Sequence, residues 1–196
     1  MFIRDLLSKR KIFVMCFAVS ILIWSIPFCL RIIYSKEATF YTELVTVSDA
    51  ESVTEILFDK IQQKQFFDVF IMIFTNNLKG CLLNIGGGTL FSVITFINLC
   101  FNGYLMADTF VKSYYAGFKL ENIIKTTLPH SFELVGFWIS GAIGFMMTMK
   151  ILSMMRGKIF YEDNFYIHMS VYAVLAIGII FLAALVETYV SMRINI

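Results

Sequence analysis

Between Lys79 and Asp108 the chain runs for 28 consecutive residues, Gly80 to Ala107, without an Asp, Glu, Lys, Arg or His. A helix crosses a hydrocarbon core of about 30 Å in about 20 residues, so this stretch belongs in lipid and is longer than one crossing needs. Two more runs, Ile12 to Leu30 and Leu134 to Met149 with its flanks, reach spanning length, and a fourth apolar stretch covers Ile167 to Val186. Closed β-barrels are the other architecture that crosses membranes, but their strands alternate apolar and polar residues, and these runs do not. The expected fold is therefore all-α, a polytopic transmembrane helical bundle in a single membrane domain. A composition of 59% hydrophobic against 15% charged residues agrees with that solvent.

Charge sets the expected topology. Arg4, Lys9, Arg10 and Lys11 form a basic cap that places the N-terminus in the cytoplasm. The apolar run after it resembles a signal peptide, but it is too long for a typical h-region and no small-x-small cleavage site follows; it reads as a membrane helix, residues 12–30. Residues 31–68 carry seven acidic side chains against four basic ones and form an extracytoplasmic segment. Within it, Ser48-Asp49-Ala50-Glu51 marks a helix start, and Val53, Ile56, Leu57 and Ile61 give an amphipathic helix.

The long uncharged run is divided into a helix over 76–97, a turn near Asn98 to Asn102, and a shorter helix or re-entrant segment over 99–116. Pro129 suits the first turn of the next helix, 130–155, and the last helix covers 167–190. Two crossings in the middle run leave the loop with Lys150, Arg156 and Lys158 cytoplasmic, whereas one crossing would put it outside. Five crossings are thus favoured over four.

The functional expectations rest on a few polar residues. His130 and Glu133 lie three apart at the start of a helix and so share a face. Along that face Gly136, Ser140 and Gly144 recur every four residues, a small-xxx-small ladder that admits a close neighbour. Glu187, near the end of the last helix, falls at the same depth when the chain crosses five times.

An ionisable group near hydrocarbon has a partner or a purpose. The trio His130, Glu133 and Glu187 admits three readings: a structural clasp between helices, a binding site for a peptide, ion or proton, or a metal or acid/base site. In the last, one imidazole and two carboxylates would hold zinc with an open position. The second histidine of a His-Glu-x-x-His helix is absent.

Asn76-Asn77, Asn84, Asn98 and Asn102 make a second polar series, with Asn77 and Asn102 joined to the polar cluster. Asn102-Gly103 reads as turn chemistry, Gly86-Gly87-Gly88 as close packing or a bend, and Asp108 with Lys112 as an i,i+4 pair. Cys16, Cys29, Cys81 and Cys100 read as small apolar residues. No motif points to nucleic acid.

Taken in order, Phe74-Thr75-Asn76-Asn77-Leu78, the glycine-rich helix, Phe101-Asn102-Gly103-Tyr104, Leu128-Pro129-His130-Ser131-Phe132-Glu133-Leu134, the glycine-bearing helix after it and Glu187 resemble the stage II sporulation protein M family of bacterial membrane proteins. The resemblance covers about the last two thirds of the chain. Ser131 departs from the glycine that often follows Pro-His in the family.

The resemblance implies a multi-pass protein of the bacterial cell membrane that works with other membrane proteins, and self-association is left open. It implies a non-enzymatic subunit in peptide (bacteriocin) maturation, export or immunity alongside an ABC transporter. A membrane scaffold for sporulation engulfment, an intramembrane metal-dependent hydrolase and a small-molecule transporter are the alternatives.

Overall fold

The structure is a computed structural model; it describes residues 2–35, 60–61, 63–157 and 164–193, and the side chains among them except 2–10, 122, 125–126, 128–130 and 191–193. The extracytoplasmic amphipathic segment expected over 31–68 lies mostly outside the described residues.

Every described element is helical. Helix α1 is Phe2–Ile33 and α2 is Phe66–Gly87, continued by a single 3-10 turn, Gly88–Leu90. Helices α3, Val93–Tyr115, α4, Leu120–Met155, and α5, Phe165–Arg193, complete the bundle. Among the described residues, five helices are long and apolar enough to cross a membrane: Lys11–Ile33, Phe66–Leu90, Val93–Tyr115, Ser131–Met155 and Phe165–Val190.

The middle run does hold two helices, but the chain reverses at the glycine trio, not near Asn98 to Asn102. The helices there are Phe66–Leu90 and Val93–Tyr115 rather than 76–97 and 99–116. Sterics explain the choice. A Cβ on Gly87 would lie 2.6 Å from the backbone nitrogen of Thr95, so only glycine allows α2 and α3 to close this tightly. Phe91 and Ser92 complete the reversal with φ of 52° and 58°, in the left-handed region.

Asn102-Gly103, expected as a turn, sits inside α3 and serves packing. Gly103 faces the carbonyl of Trp24 on α1, where a Cβ would collide, and Asn102 Oδ1 accepts a hydrogen bond from Trp24 Nε1 at 3.0 Å. A polar pair that would punctuate a soluble chain here joins two helices.

Helix α4 also begins earlier than the expected 130, at Leu120, with Glu121 in its first turn. Ile123, 4% exposed, anchors that extension. Pro129 thus lies within the helix instead of opening it.

Pairings along the helices give the arrangement. Helices α1 and α3 are parallel: Trp24 meets Asn102, and Arg31 Nε and Nη2 donate to Asp108 Oδ1 at 2.9 and 2.7 Å. Helices α2 and α4 are also parallel, with Asn84 beside Ser140 and Gly88 against Gly144. Helix α5 runs antiparallel to both α4 and α2; Ile180 fills the space beside Gly136, and the Phe181 ring stands edge-on to Phe70 and Phe74 at 5.3 and 5.6 Å.

Helix α4 contacts each of the other four and is the axis of the bundle. Its small residues make this possible. Gly136 admits α5, Ser140 meets α2, Gly141 faces Ser20 of α1, and Gly144 lies against Asn84 and Thr95. The ladder thus serves several neighbours, one at each level, rather than a single docking helix.

Candidate functional site

The bundle has two ends. The turn end holds the α2–α3 reversal, the start of α1 and α5 and the end of α4; the opposite end holds the beginning of the α4 span and the end of α5. Toward this opposite end a cleft of about 440 Å³ lies among α2, α3, α4 and α5. Met72, Ile73, Leu105, Met106, Leu134 and Phe137 form its apolar wall, and Asn76, Asn77, Asn102, Thr109, Thr127, Glu133 and Glu187 supply its polar atoms.

Helix geometry converges the two carboxyls. Glu133 sits one turn below Phe137 on α4, and Glu187 lies near the end of α5, which packs antiparallel against it. Both are largely buried, 7% and 9% exposed. The Glu133 carboxyl lies beside the Glu187 carboxyl and the Asn77 side chain of α2, within reach of a hydrogen bond to each.

The cluster expected from sequence is therefore assembled in part. Glu133, Glu187 and Asn77 are brought together, and Asn102 lines the same cleft with its side-chain oxygen turned to Trp24. His130 belongs to α4, three residues before Glu133, and its side chain lies outside the described ones. Gly136, Ser140 and Gly144 lie farther along α4, on the packing surfaces described above.

Two features were missed in the sequence reading. Asp108 pairs with Lys112 at 3.0 Å as the spacing suggests, but its shorter partner is Arg31, on a helix 77 residues away in sequence. The asparagines also divide into two groups. Asn76, Asn77 and Asn102 face the cleft, whereas Asn84 and Asn98 belong to a closed network nearer the turn end.

In that network Asn84, fully buried, donates to Phe137 O and Ser140 Oγ at 3.3 and 3.0 Å. Asn98 donates to Asn84 Oδ1 and Gly80 O at 2.8 and 3.0 Å, and Thr95 Oγ1 donates to Asn84 O at 2.7 Å. Ser92 and Thr148 form a separate pair beside it where Gly88 meets Gly144, their hydroxyls 2.6 Å apart.

An open zinc site takes three protein ligands. Among the described residues no three His, Cys, Asp or Glu side chains converge. Glu133 and Glu187 can supply two carboxylates, and the imidazole of His130 would have to complete the set.

The arrangement of five apolar helices around a small-residue axis can now be set beside known proteins. The sequence model of the family described as stage II sporulation protein M matches residues 11–192. The chain belongs to that family. An uncharacterized protein of Methanocaldococcus jannaschii is 30% identical over 129 residues, an alignment covering 64% of this chain and 72% of that one. No solved structure matches the chain. As a family member with five helices able to cross a bilayer, the protein is a multi-pass membrane protein.

Proposed function

We propose that the protein is a non-enzymatic membrane subunit that receives a segment of another polypeptide in its cleft, in the maturation, export or immunity machinery of a peptide such as a bacteriocin, alongside an ABC transporter. The observation that carries this reading is the meeting of Glu133, Glu187 and Asn77 on the wall of an open cleft. Carboxyls and side-chain amides offer the donors and acceptors that a peptide backbone or amino group uses, and the apolar wall accepts its side chains. The rigid α4 axis holds these groups in a fixed frame.

Orientation follows from charge. The basic cap at residues 4–11 and the basic loop after α4 belong to the turn end, so that end is cytoplasmic and the cleft opens toward the outer face of the cell membrane.

The test uses the full chain, purified in mild detergent from the membranes of its own organism, with the accompanying proteins identified by mass spectrometry. A transporter subunit or peptide precursor should accompany the wild type and be lost from the Glu133→Gln, Glu187→Gln double variant while that variant stays folded. A protein that brings nothing along, or equal recovery from the double variant, overturns the proposal. Elemental analysis of the same preparation separates the hydrolase alternative: stoichiometric zinc that disappears in Glu187→Gln would favour it.

A further inference from the structure

Lys79 is the residue that the five-helix bundle does not explain. It lies in α2, 13 positions after Phe66 and 8 before Gly87, which at about 1.5 Å per residue puts it about 20 Å from one helix end and about 12 Å from the other. Those distances place its Cα deep in the hydrocarbon, beyond easy reach of either surface for a four-carbon stem. The side chain is nevertheless exposed on the outside of the bundle. Among the described residues no carboxylate lies within ion-pair distance of it. A lysine at mid-depth on a lipid-facing surface lacks the solvation that an ammonium requires.

A second observation falls on the same face. Asn76, Lys79, Leu83 and Gly86 follow at spacings of three and four, and Asn76, Lys79, Leu82, Leu83 and Gly86 are all exposed. Gly86 differs from its two neighbours in the glycine trio. Gly87 and Gly88 press on Thr95 and Gly144, whereas a Cβ on Gly86 would meet nothing within 4 Å. Packing inside this chain therefore does not require glycine there, while close approach of an additional helix would.

We infer that this face of α2 is the docking surface for a membrane-spanning helix of another protein, one that crosses closely at Gly86 and presents a carboxylate to Lys79 at mid-depth. Within the described membrane spans, a second copy of the chain offers no carboxylate on an outer face at mid-depth for this role. Within the described membrane spans, Glu133 and Glu187 are buried in the cleft and Asp108 is engaged by Arg31 and Lys112; Asp68, near the beginning of α2, is paired with Lys60. Charge complementarity thus selects a heterologous partner. Asn76 stands where this face borders the cleft, so the docked helix would lie along its edge.

The inference rests on the reading of the chain as a membrane subunit, but it uses other residues than the cleft and can fail separately. A photo-reactive phenylalanine analogue is placed at Leu83 in the full chain, in the membranes of its own organism, and at Leu175 on the exposed face of α5 as a control. The expected result is a crosslink from position 83, and not from 175, to one transmembrane helix that contains Asp or Glu. Lys79→Leu and Gly86→Leu should each reduce the yield at least tenfold. Reversing the charges, Lys79→Glu together with the partner's carboxylate changed to lysine, should restore it. Adducts with lipid alone, crosslinks to a second copy, or a yield unchanged by Lys79→Leu would each overturn the inference. Loss of the crosslink in Lys79→Leu with the cleft-dependent co-purification intact would leave the two sites independent.

Discussion

The bundle contains two polar clusters a few helical turns apart, and they are built differently. Near the turn end, Asn84, Asn98, Ser140 and Thr95 form a chain of neutral donors and acceptors, with the Ser92–Thr148 pair beside it at the glycine contacts. Toward the opposite end, Glu133, Glu187 and Asn77 adjoin a cleft of about 440 Å³. Neutral amides and hydroxyls with matched partners lock helices together without leaving charge in hydrocarbon. Carboxyls beside open space carry a larger burial cost and give no tighter packing in return, so the first cluster is the scaffold and the second is the working surface.

Several measurements would break or sharpen that contrast. The largest effect is expected from Gly144→Val, because its Cβ would collide with Asn84 O and lie 2.8 Å from Thr95 Oγ1. A loss of about 3 kcal/mol or more should appear as poor recovery of folded protein and a sharp drop in Tm in detergent. Next comes Asn84→Leu, which removes the acceptor of Asn98 and the partner of Ser140; about 2 kcal/mol of destabilisation is expected in the same thermal assay.

The cleft should respond in the opposite sense. Glu133→Gln is expected to change stability by under about 1 kcal/mol, since glutamine keeps the size and can still hydrogen-bond, and to show its effect in partner recovery. If it melts the protein as severely as Asn84→Leu, the carboxyls are scaffold and the contrast fails. The smallest effect belongs to Gly86→Ala, whose new methyl enters open space within a helix. Its Tm in detergent should be unchanged or slightly raised.

The sequence made the scaffold's class plain and hid its joints. Run lengths and charge placement were enough for an all-helical membrane bundle with a doubled middle run, because hydrocarbon imposes length directly. The place of reversal was not legible. Gly86-Gly87-Gly88 and Asn102-Gly103 look equally capable of turning a chain, and the difference lies in a contact between α2 and Thr95 and another between Gly103 and Trp24, both tertiary.

For the site, the spacing of Glu133 and the position of Glu187 near a helix end were readable, and antiparallel packing of α4 on α5 brings them together. The partition of the asparagines was not readable, because Asn77 and Asn84 are seven residues apart on one face and only their neighbours distinguish them. Arg31 was equally opaque: its partner Asp108 is set by the parallel pairing of α1 and α3.

Placing the axis in the fourth helix has a consequence for biogenesis. The ribosome delivers α1, α2 and α3 to the insertion machinery before the segment around which they assemble exists. Within the α2–α3 hairpin both partners of the Asn98–Asn84 bond are already present, yet the Asn84 amide has its own acceptors on Phe137 and Ser140, which are translated more than fifty residues later. Until α4 arrives the nascent bundle has an unfilled groove and an unsatisfied donor, which makes this interval the stage at which a membrane chaperone would be needed and at which truncated chains would be recognised for degradation.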